Sequence, residues 1–83
     1  SNPLDIENAS NGRRYQETWT QATLDEVMAW IQSKPHLNAQ DEWGNTVLIR
    51  AVRSNQNPDV TLALLQAGTD VNLKNDRGET PLM

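Results

Sequence analysis

One stretch of this chain is written twice. Residues 38–48 read Asn-Ala-Gln-Asp-Glu-Trp-Gly-Asn-Thr-Val-Leu, and residues 72–82 read Asn-Leu-Lys-Asn-Asp-Arg-Gly-Glu-Thr-Pro-Leu. Asn38/Asn72, Gly44/Gly78, Thr46/Thr80 and Leu48/Leu82 coincide at an offset of 34 residues. A self-similar period of roughly 20–50 residues marks architectures built by stacking small units. Each unit is too small to bury its apolar face alone, so it borrows the face of its neighbour. The offset extends between the two copies as well. Asp25/Asp59, Ala29/Ala63 and Gln32/Gln66 are identical, and Met28/Leu62, Trp30/Leu64, Ile31/Leu65 and Leu37/Val71 are apolar in both. Three units follow: a degenerate one over about 13–37, a full one over 38–71, and the opening of a third over 72–83.

Local signals place helices within these units. Residues 1–12 mix Pro, Asn, Ser and Gly and read as an irregular tail, with Leu4 and Ile6 resting on the first helix. Arg13–Ala22 reads as that helix, although its threonines are only fair helix formers. A second helix over Thr23–Ser33 has a capping box in Thr23 and Glu26, and an apolar stripe in Leu24, Val27, Met28 and Ile31. It ends at Lys34-Pro35, because the residue before a proline is pushed away from helical angles. Thr46 is a good cap for a short helix carrying Leu48, Ile49, Ala51 and Val52. Asn57 caps the next, with Pro58 in its first turn, Val60, Leu62, Leu64 and Leu65 as its apolar side, and Gly68 as its left-handed end.

Composition removes several classes of function. Without cysteine there are no disulfides or thiolate metal sites, and a single histidine makes a histidine-based metal site improbable. The net charge of −4 argues against binding nucleic acid through general electrostatics. The longest apolar run, Leu62–Leu65, is far too short to span a membrane. The start lacks the basic and apolar regions of a secretory signal, so the cytoplasm is the expected compartment. Residues 72–78 bear a superficial likeness to a calcium loop, but Lys74 stands where an oxygen ligand belongs. No nucleophile–base set can be assembled, so neither catalysis nor a cofactor is expected.

The runs Gly44-Asn45-Thr46-Val47-Leu48-Ile49-Arg50-Ala51 and Leu64-Leu65-Gln66-Ala67-Gly68-Thr69-Asp70-Val71-Asn72 resemble the ankyrin repeat, and Gly78-Glu79-Thr80-Pro81-Leu82 reopens the pattern. The resemblance implies an all-α solenoid of stacked helix–turn–helix units joined by hairpin-like loops. It implies that Asp70 and Asn72 hold their loop by bonding nearby amides. Departures are visible: Val47 replaces the pattern's proline, Ile49 its histidine, and Asn55 the glycine that ends the first helix. The first unit lacks the opening motif, as N-terminal capping repeats often do. Leu64, Leu65 and Leu82 would face water at an open end, so further repeats or a second copy of the chain are expected to cover them.

The same resemblance implies a non-catalytic module that binds another protein through its hairpin tips and concave first-helix face. On this chain those positions are Gln40, Glu42, Trp43 and Asn45 in one loop, Asp76, Arg77 and Glu79 in the next, and Arg50 and Arg53 on the short helix. Trp43 is either a binding anchor, a role that suits aromatics, or packs on the neighbouring loop and Arg77. Arg50 and Arg53 either grip an acidic partner or are solvated surface charges. Trp30 is expected in the core, Trp19 is undecided, and His36 is expected on a surface loop. Two other roles fit the same fold: a cap or spacer of a larger protein, and an inhibitor or immunity-type partner of an enzyme or toxin.

Overall fold

The caps read from the sequence at Thr23, Thr46 and Asn57 set where three of the helices begin. In the computed structural model, which describes residues 2–82, helix α1 spans Arg13–Gln21, α2 Leu24–Gln32, α3 Val47–Ser54 and α4 Pro58–Gln66, preceded by a 3-10 helix over Ile6–Asn11. Thr23 Oγ1 accepts the Glu26 amide at 3.1 Å while the Glu26 carboxylate accepts the Thr23 amide at 2.9 Å, closing the capping box of α2. Thr46 Oγ1 accepts the Ile49 amide at 3.2 Å to start α3, and Asn57 Oδ1 accepts the Asp59 amide at 3.0 Å to start α4. The ends obey the repeat as well. Lys34 and Gly68, one period apart, follow α2 and α4 with φ of 57° and 102°. Their amides return to the Ile31 and Leu65 carbonyls at 3.0 and 3.1 Å.

The two helix pairs stack as units: α1 packs on α3, α2 on α4, and α3 on its own partner α4. Among the described residues there is no strand, and no helix is long and apolar enough to cross a membrane. The interior is shared between units, with Tyr15, Trp19, Val27 and Trp30 from the first and Leu48, Ala51, Val60 and Leu64 from the second. Trp19 and Trp30 meet edge to face, with ring centroids 5.4 Å apart at 85°. Such a pair adds about 0.5–1.5 kcal/mol beyond its area burial. Both undecided and expected core tryptophans are thus interior residues.

Several expectations change. The stretch read as an irregular tail folds into the 3-10 helix and joins the core through Leu4 and Ala9. The cause is polar. Buried aromatic rings need acceptors for their polar tips, and this segment supplies them. The Tyr15 hydroxyl donates to the Leu4 carbonyl at 3.0 Å, and Trp30 Nε1 donates to Asp5 Oδ1 at 2.6 Å. Met28 and Leu62, counted in the apolar stripes, point outward, because Trp30 and Leu64 take the inward positions on their helices. Of the leucines expected at the open end, Leu64 is buried, whereas Leu65 and Leu82 are exposed.

Asn55 explains its own departure from the family pattern. Its φ of −89° is open to any residue, so no glycine is required there. Its side-chain amide donates to the Trp19 and Ala22 carbonyls at 2.9 and 2.8 Å, tying the end of α1 to the end of α3. Val47 and Ile49, at the proline and histidine positions, are both buried in the stack.

Candidate functional site

Two hairpin-like loops, 38–46 and 70–80, project from the ends of the helix pairs and repeat each other bond for bond. The Asp41 amide donates to the Asn45 carbonyl at 3.0 Å, and the Asn75 amide to the Glu79 carbonyl at 2.9 Å. Asp41 Oδ1 accepts the Trp43 and Asn45 amides, both at 2.9 Å. Asn75 Oδ1 accepts the Arg77 and Glu79 amides at 2.9 and 3.0 Å. An acidic or amide oxygen two residues before the turn is the ordinary device for holding such a loop.

The loops are also bonded to each other. The Asp76 amide donates to the Trp43 carbonyl at 2.9 Å. Gln40 Nε2 donates to the Lys74 carbonyl at 2.8 Å and to the Gly44 carbonyl at 2.9 Å. Asn75 Nδ2 donates to Asn45 Oδ1 at 3.0 Å, and the Asp70 amide donates to Asn38 Oδ1 at 2.7 Å. Asp70 in turn holds its own loop by accepting the Asn72 amide at 2.8 Å. The approach is close enough that a β-carbon at Gly44 would lie 2.9 Å from Asn75 Cα and from Asp76 N.

Between the loop tips runs an open groove of about 380 Å³, room for a partner's side chain, lined by Trp43, Asn45, Arg53, Asn75, Asp76, Arg77 and Glu79. Trp43 is 49% exposed although its backbone is tied on both sides, by Asp41 at its amide and by Asp76 at its carbonyl. Arg53 Nη2 lies 3.0 Å from Glu79 Oε1, and both residues line the groove. Hydrogen bonds from Asn75 and then Arg53 hold the Glu79 carboxyl below its ordinary range, with the charges of Arg53 and Arg77 acting the same way. One guanidinium thus pairs with this carboxylate, and the charge of a second acts on it.

Of the residues singled out in the sequence, Trp43, Asn45, Arg53, Asp76 and Arg77 meet in this groove, and Trp43 and Arg77 share its walls. Glu42 is exposed beside Trp43, outside the lining. Gln40 is engaged in bridging the loops. Arg50 needs correction. Expected at the surface, it is 7% exposed and paired with Asp41, with Nη1 donating to Gln16 Oε1 at 2.6 Å. A carboxylate oxygen from Asp41 and an amide oxygen from Gln16 make burial of the guanidinium tolerable. Asn75 was missed, though the 34-residue offset to Asp41 marks it as the same loop-holding residue. His36 is exposed, and among the described residues no group of three or more His, Cys, Asp or Glu is arranged to hold a metal.

The family model described as ankyrin repeats in many copies matches residues 34–82, more than half of the chain. The chain belongs to the ankyrin-repeat family. Comparison with curated proteins gives no match. Ankyrin repeats are in general protein–protein interaction modules and non-catalytic. The matched segment contains α3, α4 and both hairpins, and so the whole groove. The first ankyrin unit, with α1 and α2, lies mostly outside the match, in keeping with its missing opening motif.

Proposed function

We propose that this ankyrin-repeat chain is a non-catalytic binding module that holds another protein across the groove between its two hairpins, with Trp43 as the anchor. The observation that carries the reading is a large aromatic side chain left 49% exposed on a backbone bonded at both its amide and its carbonyl. Binding energy concentrates in a few aromatic and arginine residues. An anchor whose backbone is already ordered spares the entropy of ordering it on association. Arg53 and Arg77 stand beside it, so the groove combines an aromatic face with two guanidiniums.

The test is affinity capture with the full chain and two variants, compared band by band. Trp43→Ala removes the anchor, while Leu62→Ser changes an equally exposed apolar residue on the outer surface of α4. A protein retained by the parent and by Leu62→Ser but lost with Trp43→Ala is the expected result. Equal retention by all three would overturn the assignment of the site.

A further inference from the structure

Arg50 and Asp41 form an ion pair inside the protein, with side chains 7% and 1% exposed. The guanidinium carbon lies 4.9 Å from the centroid of the Tyr15 ring, and Nη1 reaches Gln16 on α1. Arg50 Nε is buried with no acceptor among the described residues. Desolvation offsets much of the attraction in such a pair, and well-packed apolar residues of similar volume often stabilise a fold as well or better. Stability alone gives no reason for keeping two charges here.

The repeat separates what Asp41 does for its turn from what it does for Arg50. Asn75, one period on, builds the same turn with an amide oxygen, accepting the Arg77 and Glu79 amides as Asp41 accepts those of Trp43 and Asn45. An uncharged oxygen therefore suffices for the turn. The second oxygen of Asp41 is directed to Arg50. One end of this carboxylate grips the amide of Trp43, and the other grips α3 and, through Arg50, Gln16 on α1.

We infer that Asp41 and Arg50 are positioning residues that lock the Trp43 hairpin to the helix stack and so fix where the anchor is presented. The inference rests on the groove being the binding site, as proposed above. Any swing of the hairpin that moves Trp43 must pull Asp41 out of a buried ion pair. The hairpin is thereby fastened to both helix pairs at a point two residues from the anchor.

Asp41→Asn alone strands a buried cation, so the pair is best replaced together, as Asp41→Asn with Arg50→Met. The substituted asparagine keeps the turn acceptor, and methionine fills the space of the arginine stem. Residue-resolved amide hydrogen exchange on the free full chain reads the outcome. The Trp43, Asn45 and Asp76 amides, each bonded within or between the loops, are expected to exchange about tenfold faster or more. The Trp30 and Leu64 amides in α2 and α4 are expected to keep the parental rate. Unchanged loop exchange would overturn the inference. So would acceleration of loops and helices by one common factor, since that is the signature of a pair that merely stabilises the fold. Because the free chain is measured, the result does not depend on whether Trp43→Ala abolishes capture.

Discussion

Replacing Gly44 by alanine tests how the two hairpins are joined. Its φ is +80°, and the added β-carbon would lie 2.9 Å from Asn75 Cα, Asp76 N and Asp76 Oδ1. Two of those are backbone atoms that cannot swing aside, so the second hairpin must retreat and the 2.9 Å bond from the Asp76 amide to the Trp43 carbonyl must lengthen or break. Positive φ costs a non-glycine residue about 1 kcal/mol. The lost hydrogen bond adds about 0.5–1.5 kcal/mol, and overpacking adds about 1 kcal/mol or more. The sum is about 3 kcal/mol. Gly78 is the internal control, with φ of +75° and nothing within 4 Å of an added β-carbon. Its replacement costs only about 1 kcal/mol. Each kcal/mol moves the melting temperature of a domain this size by roughly 4–8 °C. Thermal melts followed by far-ultraviolet circular dichroism are therefore expected to fall by roughly 12–24 °C for Gly44→Ala and roughly 4–8 °C for Gly78→Ala. Equal shifts would refute the reasoning, because they would mean that backbone conformation alone, and no loop-to-loop contact, sets the cost.

Two further outcomes follow from the core and from the helix ends. Burial pushes the Tyr15 hydroxyl up to about 12 from its ordinary 10.0, against smaller downward pulls from the Trp19 side chain and the Arg50 charge. The folded state thus favours the protonated phenol, and that contribution is complete below about pH 10 and lost as pH rises through about 12. Tyr15 is the chain's one tyrosine, so in an alkaline difference-absorbance titration the tyrosinate band is expected to rise together with loss of helix; ionisation near pH 10 in a still-helical chain would refute this. Lys34→Gly relieves a lysine held at φ 57°, and after the added freedom of the unfolded chain is subtracted the gain is at most about 0.5 kcal/mol. A melting temperature held or raised by up to about 4 °C is expected, and a lowered one would show that the lysine side chain contributes more than its backbone costs.

The repeat made the architecture legible because helix caps and loop turns are local chemistry repeated at a fixed offset. Thr23, Thr46 and Asn57 cap the helices they were expected to cap, and Asp41 and Asn75 hold matching turns. What the sequence concealed depends on distant partners. Residues 2–12, with three asparagines, a proline and a glycine, carry no helical periodicity. They order against the first helix pair, where Leu4 and Asp5 accept hydrogen bonds from the buried Tyr15 and Trp30. Arg50 reads as a surface charge by residue type. Its burial depends on Gln16, one period before it, and on Asp41, nine residues before it, converging on one guanidinium. The groove was half visible: its tip residues follow from the family pattern, whereas the Arg53–Glu79 pair requires knowing that α3 brings Arg53 to the second hairpin.

The chain's three tryptophans are divided by the fold in a way that has a spectroscopic consequence. Trp19 and Trp30 lie against each other in the first unit, sealed from solvent, while Trp43 stands half in water at the rim of the second. A sealed indole emits to the blue and a hydrated one to the red, so the native emission is a composite with one colour for each unit. Stacked units unfold by losing neighbours, not necessarily all at once. The blue component therefore reports the first unit alone: its loss together with the first loss of helix, or its persistence past it, names the end of the stack that lets go first, with no label added to the protein.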